Sequence, residues 1–498
     1  MIPTTSERPR ARALPASRRG ALTLTLTIAL TFGAASCSKK APSPEAVSRE
    51  AMAATTTLVL DGIPERPGGD LLVGAATVDL TPYDKAAAGD VYIAGFGPGR
   101  TSEGVLDPVT GRVLYVDDGK QWVVLAWLDF VGLLNDEVRG IRGLVTRDHP
   151  ERVIVGSTHN HEGPDTMGYW GPGVLLPIAS GKDPEYMTWM RGQVADAIAR
   201  AVVGAKPARL RFGTATVEEG VSANLWFPDD PSRKDDQMTV LAAEDLDGKR
   251  IATLVNYACH AEALFENNKR LSADFPGRLY RELETYHPDS VPIFVPGAIG
   301  GMVIPYPNRW DKRDEFDDFT LRLGFIDRVG DILAQTAESA LAEGSDPIGP
   351  QGVTLGHETR EIWLALDNTI FEVVTSLGIV SLGDRPTQDE RFRAEVHRVD
   401  LGPARILTVP GEIFPSLGFL YKRWLATPYP FVFGLATDEL GYIMGAAEFE
   451  DSTYEYEQSM SVGPETGPTL TRAVHDLLGA TEPPPPEVIG PLGSPGGN

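Results

Sequence analysis

The stretch Arg152-Val153-Ile154-Val155-Gly156-Ser157-Thr158-His159-Asn160-His161-Glu162-Gly163-Pro164-Asp165 joins a short apolar run to a cluster of polar and turn-forming residues. An apolar run of this length without alternation suits a strand buried on both faces. The polar residues after it stand where a rigid strand presents side chains to a cleft. The pattern recurs. Residues 251–258 lead into Cys259 and His260, and 405–409 lead into Pro410-Gly411-Glu412. Trp122–Leu128, 209–214 and 292–295 read as further strands, and 393–399 with 405–409 as a hairpin through Leu401-Gly402-Pro403. Helices are fewer. Pro184–Val203 carries Met187, Met190, Val194, Ala197, Ile198, Ala201 and Val202 on one stripe, and Asp183 before Pro184 is a start signal. Residues 319–341, Asp274–Tyr286 and 413–425 read as the others, the last two lying directly after polar motifs.

These elements predict an α/β protein, with mixed α+β as the alternative, built as one large catalytic domain with a β-sheet core and surrounding helices. No solenoid or propeller period interrupts them. The 498 residues are enough for a large core, and the 52 Gly and 40 Pro indicate many turns. Against 69 Asp+Glu stand 45 Lys+Arg, a formal charge of -24 that disfavours nucleic acid and anionic lipid as partners.

The N-terminus reads as a targeting segment, not as fold. Arg8, Arg10, Arg12, Arg18 and Arg19 precede an apolar run over 21–32 that is too short for a stable membrane span. Gly33, Ala34, Ala35 and Ser36 then precede Cys37, as in a bacterial lipobox, although Ala34 stands where Leu is usual. Residues 1–36 are thus expected to be a lipoprotein-type signal peptide, with Cys37 lipidated. Ordinary cleavage near Ala35 is the alternative, and Arg18-Arg19 also suits twin-arginine export. Residues 37–69 read as a flexible tether, 70–481 as the folded body, and 482–498 as a Pro/Gly-rich tail. The expected location is the bacterial cell envelope, periplasmic or outer surface, with the chain held to the membrane through an N-terminal lipid anchor. Cys259 is the only other cysteine, so no disulfide scaffold is expected.

Three strand ends carry the candidate chemistry. If the extended conformation continues past Ser157, His159 and His161 form an i, i+2 pair on one face. One ring would bind a metal while the other acts beside it. With His260 and Glu412 they supply two imidazoles and a carboxylate, a common hydrolytic zinc set. The residues alone equally allow histidines hydrogen-bonded at strand ends and a glutamate capping the next helix. Asp129, following Trp122–Leu128, reads either as a carboxylate orienting a metal histidine or as a turn cap.

A longer series of blocks adds to this reading. Val73-Gly74-Ala75-Ala76-Thr77-Val78-Asp79-Leu80-Thr81-Pro82, Ala94-Gly95-Phe96-Gly97 and Gly104-Val105-Leu106-Asp107-Pro108 come first. Ser157 to Pro164, Asn256-Tyr257-Ala258-Cys259-His260 and Val409-Pro410-Gly411-Glu412 follow, then Gly441-Tyr442-Ile443 with Glu448-Phe449 and Tyr454-Glu455. In this order they resemble the N-terminal catalytic domain of the neutral/alkaline, non-lysosomal ceramidase family. The resemblance implies a zinc ion held by His159, His260, Glu412 and Tyr442, with His161 and Tyr454 binding or polarising substrate. It implies a zinc-dependent amidohydrolase acting on a small-molecule or lipid amide such as an N-acyl lipid. Zinc lowers the pKa of a bound water and polarises a carbonyl, so that hydroxide attacks the amide, and His161 is the expected proton shuttle.

Three departures narrow the expectation. The family's serine-bearing segment is replaced by Gly297-Ala298-Ile299-Gly300-Gly301-Met302. Gly300 offers no hydroxyl, so hydroxide acts unaided, a backbone N–H of the glycine turn serves as oxyanion donor, or activity is lost. The family's Asn-Arg-Ser gives way to Ala223-Asn224-Leu225-Trp226, leaving Arg233 or Lys234 to supply a guanidinium or ammonium. A C-terminal immunoglobulin-like domain of the family has the Pro/Gly tail in its place. Tyr306, Trp310 and Phe316 read equally as core or as lipid groove. The competing expectation is a catalytically silent surface lipoprotein that keeps the metal for structure or ligand binding. Two histidines and a carboxylate also suit Fe(II).

Overall fold

An alternation hidden inside the apolar runs sets the layers. The computed structural model describes residues 59–490 apart from 67–68, 175, 310, 382–386 and 389–390. The expected signal peptide, Cys37 and most of the tether lie outside the described residues. In Trp122–Leu128, Val123, Leu125 and Trp127 point into one core, and Val124, Ala126 and Leu128 into another. All seven residues of this strand are buried. A strand covered on both faces must lie between two layers.

The larger sheet has eight strands: β1 (Leu72–Asp79), β2 (Thr110–Asp117), β3 (Trp122–Leu128), β4 (Val153–Ser157), β5 (Lys206–Thr216), β6 (Gln237–Asp245), β7 (Arg250–Tyr257) and β8 (Val291–Pro296). Their spatial order is β4-β3-β2-β1-β5-β6-β7-β8. Only the outer pairs, β3 with β4 and β7 with β8, run parallel. A second sheet orders β9 (Leu355–Ala365), β10 (Arg391–Leu401), β11 (Ala404–Thr408) and β12 (Tyr429–Phe433). The expected hairpin is its β10–β11 pair, closing with Leu401 opposite Ala404.

One core lies between the sheets, where Leu125, Trp127, Leu241 and Leu254 meet Ile406, Phe431 and Phe433. The outer face of the large sheet is covered by α1 (Asn135–Val145), α2 (Pro184–Val203), α3 (Asp274–Tyr286) and α4 (Phe319–Glu343). The outer face of the second sheet is covered by α5 (Pro415–Leu425) and α6 (Thr466–Leu478). The result is a four-layer α/β/β/α sandwich, the α/β class expected. Helix α2 begins as its sequence requires: the Asp183 carboxylate accepts from Glu185 and Tyr186 N–H, with Pro184 in the first turn. Strand β5 differs from the expected both-face burial. Its Leu210 and Phe212 are buried, whereas Arg209 is exposed and Arg211 reaches toward Glu244 at 4.0 Å.

The large sheet does not stay flat. Its halves join only through Leu72 opposite Pro207 and Val73 opposite Lys206. It folds back so that Arg112 of β2 donates to the Pro292 carbonyl of β8 (3.1 Å). The ends of the distant strands β4 and β7 then meet, with Asn160 bridged to Ala261 and His161 N–H donating to Ala261 O (2.9 Å). Asn256 of β7 locks the two sheets together. Its Nδ2 donates to Val295 O and Val432 O (both 3.0 Å), and its Oδ1 accepts from Val432 N–H (3.2 Å). Asn256→Ala leaves buried backbone groups unpaired and opens a small cavity, so a stability loss of about 2–4 kcal/mol is expected in urea denaturation. A loss below about 1 kcal/mol would show that the sheets do not depend on this residue.

Candidate metal centre

Beyond β4 the chain turns sharply. His159 takes φ +60°, so the extended conformation does not continue to His161. Instead the turn is held by Thr158 N–H to Leu128 O and Asn160 N–H to Phe130 O (both 2.9 Å). The buried Asn160 side chain donates to Asp129 O (3.0 Å) and Ser272 O (2.7 Å). The two imidazoles still converge, with Nε2 atoms 3.2 Å apart. This turn, rather than a two-residue strand period, brings them together.

His260 joins them from the end of β7. The ring nitrogens of His159, His161 and His260 lie within 4.8 Å of one another, and all three residues are buried. Glu412, after β11, places Oε2 3.4 Å from His159 Nε2 and 3.0 Å from His260 Nε2. His159 Nδ1 bonds to Val131 O (2.7 Å) and His260 Nδ1 to Val303 O (2.8 Å). A carbonyl only accepts, so each Nδ1 carries the proton and each Nε2 offers a lone pair to the same point. Burial pushes the His159 imidazolium down to about 3, against the opposing charge of Glu412. His260 shifts up, because Glu412 outweighs the opposing effect of burial.

These residues fit a metal ion. Two ligands bonded at about 2.0–2.1 Å with a tetrahedral angle lie about 3.4 Å apart, the spacing seen between these donors. His260 Nε2 and Glu412 Oε2 are buried and make no aligned hydrogen bond to each other or to another group. A cation between them would satisfy both.

Tyr442 stands beside Glu412, paired with it in a two-residue parallel bridge. Its hydroxyl donates to Met302 Sδ (3.2 Å). Tyr454 lies elsewhere. It packs edge-on against Phe414 and accepts from Arg233 Nη1 (3.4 Å), whereas Tyr456 lines the cavity beside the histidines. Arg233 is drawn away by Asp230 and by the Phe227 ring, and Lys234 by Asp236. Neither reaches the cavity wall, where the cation is Arg313.

Asp129 does not orient a histidine. Its carboxylate accepts from Thr110 N–H (2.8 Å), Thr110 Oγ1 (2.7 Å) and Tyr280 OH (3.0 Å), a structural role that the backbone carbonyls Val131 and Val303 leave it free to fill. Glu412 caps no helix, because α5 has Phe414 at its N-cap and no side-chain cap bond. Tyr306 and Phe316 pack against the α3–α4 core, and Trp310 lies outside the described residues.

The glycine turn after β8 is closed. Gly300 N–H already donates to Ile413 O (2.9 Å), so it is not an oxyanion donor. A Cβ at Gly300 would lie 2.4 Å from Glu412 O.

Three functional candidates escaped sequence reading. Glu262 stands 3.2 Å from His161 Nδ1, two residues past His260. Glu439 lines the cavity with one oxygen on Gly441 N–H (3.0 Å) and the other unpaired. Burial, followed by the Glu412 charge, pushes its carboxyl well up. Tyr456 is the third. An acid two residues from a candidate ligand was the available signal for Glu262; nothing separated Tyr456 from Tyr454. A cavity of about 490 Å³ opens from His161 and His260 past Phe96, Trp170, Leu225, Phe265, Ile304 and Met460.

No protein-family model matches the sequence, and no curated protein matches it. The fold matches solved structures. A neutral ceramidase from Pseudomonas aeruginosa aligns with TM-score 0.66 at 17% identity, over 82% of this chain and 73% of that one. A ceramidase complexed with C2 aligns with TM-score 0.63 at 15% identity, over 82% and 74%. The domain is neutral ceramidase-like in fold.

Restoring the missing hydroxyl is expected to fail on steric grounds. Gly300→Ser should cost about 2 kcal/mol or more and lower the melting temperature, since the added Cβ displaces the backbone carrying Glu412. A Gly300→Ser protein with unchanged melting temperature would overturn the closed-turn reading.

Proposed function

We propose that the protein is a zinc-dependent amidohydrolase that cleaves an N-acyl lipid or related amide. The observation that carries this reading is the convergence of His159 Nε2, His260 Nε2 and Glu412 Oε2, all buried and at ligand spacing, with His260 Nε2 and Glu412 Oε2 unsatisfied. His159, His260 and Glu412 would hold the ion, with Tyr442 as the fourth ligand after its hydroxyl leaves Met302. When bound, zinc supplies Lewis acidity for a carbonyl and acidifies water. The remaining chemistry belongs to the chain. His161, with Nε2 directed at the centre, takes the proton from water and returns it to the departing amine. Tyr456 and the apolar wall of Phe96, Trp170 and Leu225 hold the acyl portion and keep bulk water out. Tyr454 packs on Phe414 in one apolar cluster with Tyr442, Met302 and Met460.

Residues 1–36 would direct export and Cys37 would anchor the chain by lipid at the cell envelope, near its lipid substrate. Among the described residues no helix is long and apolar enough to cross a membrane.

Protein purified without added metal should carry one zinc per chain, and chelator should abolish turnover of an N-acyl amide. Glu412→Ala should lose the ion and reduce turnover by a factor on the order of 100 or more. Full zinc stoichiometry in that variant would sink the ligand assignment, and iron in its place would reassign the metal. The closed Gly300 turn favours a second reading, a metal-holding module that binds ligand without cleaving it. Chelator-sensitive product release from any amide, peptide or ester in a panel excludes it.

A further inference from the structure

Behind His161 lies a buried polar chain that ends on a cation. Glu262 Oε2 is 3.2 Å from His161 Nδ1, with both side chains about nine-tenths buried or more. Asn308 Nδ2 donates to the other carboxylate oxygen, Oε1 (3.2 Å), and to the Glu262 carbonyl (3.0 Å). Asn308 Oδ1 in turn accepts from Arg322 Nη1 (2.8 Å), which also donates to Ala263 O (2.8 Å). Arg322 reaches this point from the first turn of α4, and the Phe265 ring covers its guanidinium at 4.7 Å. Hydrogen bonds thus fix the Glu262 carboxylate through Asn308 and Arg322, and it meets His161 Nδ1 at ion-pair distance without an aligned hydrogen bond, Nδ1 having no other partner.

We infer that Glu262 is the positioning residue for His161, fixing its proton on Nδ1 and aiming Nε2 at the metal centre, with Asn308 and Arg322 holding the carboxylate in place. This rests on the proposed role of His161 in proton transfer. His159 and His260 are set by backbone carbonyls, which never change charge. His161 alone of the three is set by a carboxylate. That difference sets His161 apart, because a carboxylate oxygen holds a ring N–H more strongly than a carbonyl does.

The test separates tautomer from turnover. Nitrogen-15 NMR of histidine-labelled, zinc-loaded protein, with His161 assigned from His161→Ala, should show the Nδ1–H tautomer in the parent. In Glu262→Met, which offers no acceptor, the proton should move to Nε2. The same variant should keep one zinc per chain and a KM within about twofold while kcat falls about 10- to 100-fold, the range typical of losing an outer hydrogen-bond partner at a metal site. Glu262→Gln, nearly the same shape, should show a smaller fall and serves if the Met variant does not fold. An unchanged His161 tautomer in Glu262→Met overturns the inference. Loss of zinc also overturns it, since Glu262 would then support a ligand. If the parent turns over no amide, the tautomer result still decides the role of Glu262, and only the hydrolase reading fails.

Discussion

Two backbone carbonyls decide what the buried histidines can do. Val131 O and Val303 O each occupy an Nδ1, so His159 and His260 meet with their Nε2 lone pairs facing Glu412. Neutral rings cannot by themselves balance the buried carboxylates nearby. Burying an ionised group without full compensation is costly, and here the compensation offered to Glu412 is imidazole. The strain appears in opposite directions: His159 is pushed down to about 3, whereas His260 is pulled up. A divalent cation would satisfy all three donors at once.

The fold explains why such donors can be brought together from remote parts of the chain. β4 and β7 lie far apart in strand order, yet the large sheet is joined at its middle by only two residue pairs and folds back on itself. Asn256, four residues before His260, ties β7 to the second sheet and so to β12, whose continuation carries Tyr442. The second sheet delivers Glu412 from β11, and Glu412 then pairs with Tyr442 in register. Register and layer packing therefore set the site before any side chain does.

Much of this was legible in the sequence, for a physical reason. Continuous apolar runs ended by polar turns marked β3, β4, β7 and β8, and Asp183-Pro184 marked α2 to the residue. Those signals are local. What was not legible depended on distance. The left-handed backbone at His159 replaced the extended pair expected there. Asp129 turned to Thr110 and Tyr280 because β2 and α3 pack over it. Tyr456 rather than Tyr454 faces the cavity because the short helix at Glu455–Ser459 rotates one to the wall and the other toward Phe414. Strand β5 with its alternating arginines shows the same limit, since composition does not reveal which face a neighbouring layer covers.

The glycine at position 300 carries a consequence beyond the loss of a hydroxyl. In a turn where a Cβ would collide with the Glu412 carbonyl, the backbone has moved into the volume that a side chain would occupy. Its N–H is spent on Ile413 O, which stiffens the segment bearing Glu412. Stiffness there keeps Glu412 at a fixed distance from His159 and His260, which would favour the proposed metal-holding geometry. On the proposed reading, proton transfer would fall to His161, whose Nε2 lies 3.2 Å from His159 Nε2 with the Glu262 carboxylate behind the ring. Glu439, whose carboxyl is pushed well up by burial and by the charge of Glu412, leaves one oxygen unpaired toward the same space. On the proposed reading, such a site would take an amide whose apolar end fits the wall of Phe96, Trp170 and Leu225.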